Sequence, residues 1–94
     1  MSQLLVDTEL KQALKRIPEW DTIDSTIERT FEFDDFVGAM DFVEQVADIA
    51  EEEDHHPDID VRYNRVRLAL STHEEHGLTA QDIAVAERID NLVE

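Results

Sequence analysis

Hydrophobic positions along this chain switch between helical and strand spacing, and the switches mark out seven elements. Leu10, Ala13, Leu14 and Ile17 recur at helical spacing and predict a first helix from about Thr8 to Arg16, stopped by Pro18. Trp20 to Ile23 predict a short strand, and Asp24-Ser25 a turn. From Ile27 to Phe33 the chain alternates: Ile27, Arg29, Phe31 and Phe33 face one way, Glu28, Thr30 and Glu32 the other, as in a half-buried strand. Asp34 is expected to cap a long helix reaching about Glu53. On that helix Phe36, Met40, Val43, Ala47 and Ala50 form one stripe, and Ala39, Phe42, Val46 and Ile49 form a second beside it. At about 100° per residue the two stripes span roughly half the circumference, wide for a helix covering one small sheet. Such a helix is either deeply buried or also an oligomer interface.

Val61 and Tyr63 open a further extended stretch, Tyr63-Asn64-Arg65 is expected to turn or bulge, and Val66, Leu68 and Leu70 alternate with Arg65, Arg67 and Ala69. After Gly77, Thr79 is the expected N-cap of a final helix whose apolar face is Ile83, Ala86, Ile89, Leu92 and Val93. The order α-β-β-α-β-β-α predicts an α+β fold: a four-stranded antiparallel sheet with three helices packed on one face. Residues 1–94 read as a single domain without linker or repeat.

Composition narrows the function. The 94 residues hold 24 Asp and Glu against 8 Lys and Arg, a net charge of −16. The acids are spread along the chain, which argues against direct nucleic-acid binding, since phosphate contacts need a basic patch. An ordinary acidic surface and adaptation to high salt, where screening relieves self-repulsion, both account for the charge. There is no cysteine for a disulfide or a thiolate nucleophile. No apolar run has membrane-spanning length and the first residues lack a signal-peptide pattern, so no membrane and a cytoplasmic location are expected.

The chemistry concentrates at Asp54-His55-His56-Pro57-Asp58, with His73 and His76 downstream. Imidazole gives and takes protons near neutrality. Proline keeps His56 off the helix, and neighbours in an extended segment point to opposite sides, so His55 and His56 are expected to do different work. His73 follows the last strand and approaches the pair if that strand lies beside the stretch after Pro57. Glu51, His55, His56 and His73 offer ligands for a metal, but without the i, i+4 spacing of a helical zinc motif. A structural role for the histidines is a second alternative. Ser71 and Thr72 lie near His73 without the strand-turn-helix elbow of a nucleophile triad. General acid–base catalysis on a small polar ring compound fits best, with Glu51 available to favour the charged imidazole.

Glu51-x-x-x-His55-His56-Pro57, then Tyr63, His73 and Asp82, resembles the pattern of pterin-4a-carbinolamine dehydratases. Tyr63-Asn64-Arg65-Val66, Leu70-Ser71-Thr72-His73-Glu74, Gly77-Leu78-Thr79, Trp20, Phe31-Glu32-Phe33 and Phe36 extend the resemblance over nearly the whole chain. It implies the same four-stranded fold and dimers or tetramers joined through the long helix and the sheet edge. It implies dehydration of 4a-hydroxytetrahydropterin to quinonoid dihydropterin, recycling a hydroxylase cofactor, with no metal or organic cofactor. By position, His55, His56 and His73 would be catalytic. His55 would be the chief acid–base group, His56 would assist or serve the opposite pterin face, and His73 would bind and orient the ring while sharing proton transfer. Glu51 would hold a histidine, Pro57 would shape the loop, and backbone near Ser71 and Thr72 would meet the pterin's amide edge. Asp82 would serve the site or only cap the last helix, and Tyr63 would pack. The acidic Asp58 to Asp60 and the polar Glu75-His76 depart from the family pattern. Two other functions stay open: a binding module that stabilises a partner's oligomer, as in animal relatives, and a dehydratase relative in molybdopterin-linked metabolism.

Overall fold

A computed structural model describes residues 4–72 and 77–94. The elements, in chain order, are α1 (Asp7–Leu14), β1 (Asp21–Ile23), β2 (Thr26–Glu32), α2 (Phe36–Glu53), β3 (Asp58–Arg62), β4 (Arg65–Leu70) and α3 (Ala80–Val93). The strands form one antiparallel sheet in the order β1-β2-β4-β3, and the helices pack on it as expected for α+β. β4 is therefore central. It pairs with β2 from Ile27↔Leu70 to Glu32↔Arg65 and with β3 from Asp58↔Ala69 to Arg62↔Arg65. The second pairing brings the start of β3, just after Pro57, beside the end of β4.

The period-2 pattern explains which face is buried. Ile27 and Phe31 of β2 and Val66, Leu68 and Leu70 of β4 point into the core with Trp20, Phe42, Val46, Ile83 and Ile89. Phe42 sits between Phe31 and Phe33, with ring centroids 4.7 and 4.9 Å apart. Arg29 shares the buried face, as its register requires. Its charge is met by Asp90 of α3 at 2.7 Å, and its guanidinium lies 4.5 Å over the Phe31 ring. The indole N–H of Trp20 donates to the same Asp90 oxygen at 2.8 Å. One buried carboxylate thus ties α3 to β2 and to the segment before β1.

Three expectations are corrected. The N-cap of α2 is Asp35, not Asp34. Asp35 is the extended residue directly before Phe36, and its Oδ1 accepts the Gly38 N–H at 2.8 Å. Trp20 lies in the buried approach to β1 rather than in the strand itself. Tyr63 does not pack: it is 67% exposed and holds φ of 53° at the first position of the β3–β4 turn. Asp24 occupies the matching place in the β1–β2 turn with φ of 55°. Two-residue hairpin loops need a left-handed residue to match strand twist. Aspartate tolerates that region better than an aromatic side chain does.

The wide apolar arc of α2 divides in two. Ala39, Phe42, Val46, Ile49 and Ala50 are buried, whereas Phe36 remains 48% exposed, Met40 and Val43 are half-buried and Ala47 is exposed. Replacing Tyr63 with Asn should relieve the left-handed strain at no packing cost and stabilise the fold by about 0.5–1 kcal/mol, read as a higher midpoint in urea unfolding.

Candidate active site

The site forms where the C-terminus of α2, the N-terminus of α3 and the end of β4 meet. α2 stops because Asp54 turns into the left-handed region (φ 51°, ψ 44°). Its N–H returns to Ala50 and Glu51 carbonyls, and the N–H of His55 bonds the Ala50 carbonyl at 3.1 Å. Residue i+5 bonding back to i closes the helix end and fixes the direction in which the chain leaves. Pro57 is buried beneath the departing strand. The extended His55-His56 segment then points its two rings apart. The His55 side chain is 12% exposed and the His56 side chain 56%.

Each imidazole meets a different carboxylate. His55 Nε2 lies 2.5 Å from Asp82 Oδ1, and His56 Nε2 lies 2.5 Å from Glu51 Oε2. Glu51 therefore holds a histidine, as expected, and it is His56 at the surface. Asp82 has no exposed surface. Its second oxygen accepts the Thr79 N–H at 2.9 Å and the Thr72 hydroxyl at 2.7 Å. Helix capping and holding of His55 are not competing roles for Asp82, because they use different carboxylate oxygens.

Donor bookkeeping orders these protons. A hydroxyl has a single hydrogen. Thr72 spends its hydrogen on Asp82, so in the Thr72–Thr79 contact of 2.9 Å the Thr79 hydroxyl donates to Thr72. Asp82 is then surrounded by donors, and the ring nitrogen facing it, Nε2 of His55, carries a hydrogen. Nδ1 is left as the His55 atom for proton exchange, a tautomer assigned from the network.

The strand-end threonine differs from its expected role. The Thr72 backbone N–H donates to the Gly77 carbonyl at 2.9 Å, and its side chain turns inward to Asp82. Its backbone donor is therefore already used within the chain, and Ser71, half-buried beside it, is the better-placed neighbour for a ligand edge. His73, Glu75 and His76 lie outside the described residues. Among the described residues no three His, Asp or Glu side chains are gathered as a metal site.

Thr79 was read from the sequence only as a cap, and two further contributors were not singled out. The Thr79 hydroxyl backs Thr72, the Gln81 side chain donates to the Glu53 carbonyl at 2.8 Å, and Arg88 bonds Glu52 and Glu53. Thr79 lies three residues before Asp82, where a cap stands, and Gln81 and Arg88 are seven apart, on one face of α3. The cap position and that shared face were the signals available.

With fold and site in view, comparison with known proteins gives a consistent answer. The family described as "Pterin 4 alpha carbinolamine dehydratase" matches residues 3–92. The chain belongs to this family. A protein from Picosynechococcus sp. that carries the provisional name pterin-4-alpha-carbinolamine dehydratase is 44% identical over 92 residues, covering 98% of this chain and all of that one. One from Acidobacterium capsulatum with the same provisional name is 49% identical over 89 residues, covering 95% and 97%. The crystal structure of a transcriptional coactivator/pterin dehydratase from Brucella melitensis superposes with a TM-score of 0.91 at 37% identity, over 98% of this chain and all of that chain. A pterin dehydratase-like protein identified as a RuBisCO assembly factor in the alpha-carboxysome shares the fold at a TM-score of 0.64 and 22% identity, over 78% of this chain and 84% of that one.

Asp82→Ala should orphan three donors at once. It is expected to lower unfolding stability by about 3 kcal/mol, whereas Thr72→Val, which removes one donor from Asp82, should cost about 1–2 kcal/mol, both read from urea unfolding.

Proposed function

We propose that this protein, acting as one domain, dehydrates a 4a-hydroxytetrahydropterin to the quinonoid dihydropterin and water by histidine acid–base catalysis. The observation that carries this reading is the buried Asp82–His55 pair at the junction of three elements. Family membership and the names of the relatives support the same substrate class.

The reaction breaks the C4a–O bond and removes the proton on ring nitrogen N5. An acid must protonate the departing hydroxyl and a base must take the ring proton. Asp82 fixes the His55 ring and its tautomer, so His55, when protonated, delivers a proton from Nδ1 as the hydroxyl leaves. His56, paired with Glu51 at the exposed lip, assists or serves the opposite pterin face. His73 completes the set by orienting the ring and, as neutral imidazole, taking the N5 proton, and Ser71 offers backbone groups to the pterin's amide edge. No organic cofactor or metal takes part in this scheme.

We further propose self-association into a dimer or tetramer in the cytoplasm, with no part played by a membrane. No helix among the described residues is long and apolar enough to cross one. Exposed Phe36 and Val37 on α2, and the open edges of β1 and β3, support contacts through the long helix and the sheet edge. The same α2 face would serve the second reading, a module that binds and stabilises a partner's oligomer. That reading is favoured by the coactivator name of the Brucella relative.

Chemically generated 4a-hydroxytetrahydropterin, followed by absorbance, tests the activity; a rate equal to buffer refutes the dehydratase reading. His55→Ala is expected to lower turnover by about 100-fold or more, and His56→Ala by a smaller factor, as for loss of a general acid against loss of an assisting group. Light scattering across KCl concentrations is expected to show assembly strengthening with salt as like charges are screened. Assembly unchanged from low to molar KCl would contradict electrostatic opposition. A thermal midpoint that does not rise over the same range would remove the high-salt adaptation.

A further inference from the structure

α2 ends in four consecutive carboxylates, Glu51, Glu52, Glu53 and Asp54, with no basic residue in its last turn. A helix C-terminus already carries partial negative charge, so each of these acids is unfavourable there and each repels the next. Nothing within α2 offsets that cost. Yet the catalytic segment grows directly from this turn, since the His55 N–H is bonded to the Ala50 carbonyl. Any loosening of the turn moves the His55 ring.

The compensation comes from α3. Arg88 forks across the gap, Nη1 to Glu53 Oε2 at 2.8 Å and Nη2 to Glu52 Oε1 at 2.5 Å. Those two bonds, to Glu52 and then to Glu53, raise the Arg88 pKa above its ordinary value. Gln81 adds a neutral contact by donating to the Glu53 carbonyl. The Arg88 clamp and the His55–Asp82 pair therefore join the same two helices. The first sits one turn back on α2 and further along α3.

We propose that Arg88 is a positioning residue: it neutralises the acidic end of α2 and holds it on α3 at the separation where His55 meets Asp82. Its catalytic consequence rests on the dehydratase reading; its effect on the His55 ring does not. An exposed ion pair taken singly contributes little. Here one guanidinium serves two carboxylates at the negative end of a helix, in a chain whose net charge is −16. Glu52 is open to solvent and Glu53 partly so. Dissolved salt therefore substitutes for Arg88, because the screening length falls from about 10 Å at 0.1 M to about 3 Å at 1 M.

The test compares the parent protein with Arg88→Ala, Arg88→Lys, and Arg88→Ala combined with Glu52→Gln and Glu53→Gln, each at about 0.1 M and about 1 M KCl. Two quantities are read against the parent at the same salt: His55 ring nitrogen shifts by 15N NMR without substrate, and turnover of the carbinolamine. At low salt Arg88→Ala is expected to move the His55 shifts and to lower kcat by about tenfold with KM little changed, as for a displaced catalytic group. High salt restores both. Arg88→Lys keeps most of each, and the triple variant recovers without salt because the two carboxylates that Arg88 offsets carry no charge. His55 shifts equal to the parent's in low-salt Arg88→Ala, or a displacement that neither salt nor the triple variant corrects, would overturn the proposal. Shifts that move and recover in a protein that dehydrates no pterin would uphold the clamp and refute the dehydratase reading instead.

Discussion

A carboxylate without solvent contact must find all its donors inside the protein, and Asp82 organises this molecule by that requirement. One oxygen takes the Thr79 N–H that opens α3 and the Thr72 hydroxyl at the end of β4; the other takes the His55 ring at the end of α2. Three elements remote in sequence are tied at one point. The same group that satisfies a helix terminus orients the imidazole proposed to do the chemistry. On that proposal stability and function draw on one set of hydrogen bonds, so damage to one is damage to both.

Asp90 repeats the device at the other end of α3, where it accepts from Trp20 and Arg29. The two carboxylates sit eight residues apart on one helix and both turn into the protein. Between them Ile83, Ala86 and Ile89 supply the apolar contact with the sheet. α3 is thus fixed at both ends by directional bonds and in the middle by burial. This rigidity suits a site that needs His55 held within a fraction of an ångström. The acid-rich surface works against compactness, and the Arg88 fork meets that repulsion where it would reach the site.

The two faces of the β strands were legible because a period-2 pattern leaves few alternatives. Ile27, Phe31, Val66, Leu68 and Leu70 could only face the core together. The extent of α2 was legible for a similar reason, from long apolar periodicity. Its cap was misplaced by one residue because Asp34 and Asp35 are chemically equal, and only the extended backbone at Asp35 separates them. Tyr63 misled because an aromatic residue normally signals burial. Here the turn's geometry decided its place, and the side chain was left in solvent.

The sequence by itself determined the element order, the core faces of the strands and the residue types of the site, because periodicity and proton chemistry are local properties. It also paired Glu51 with a histidine without saying which one. Only the tertiary structure decided that His55 goes to buried Asp82 and His56 to exposed Glu51, that Thr72 turns inward, and that Arg88 answers the acidic end of α2. His56 and Glu51 are only five residues apart, but the partners of His55, Thr72 and Arg88 lie 27, 10 and 35 or 36 residues away in the chain. Their meeting depends on how α2, β4 and α3 pack, and no pattern along the chain encodes that distance.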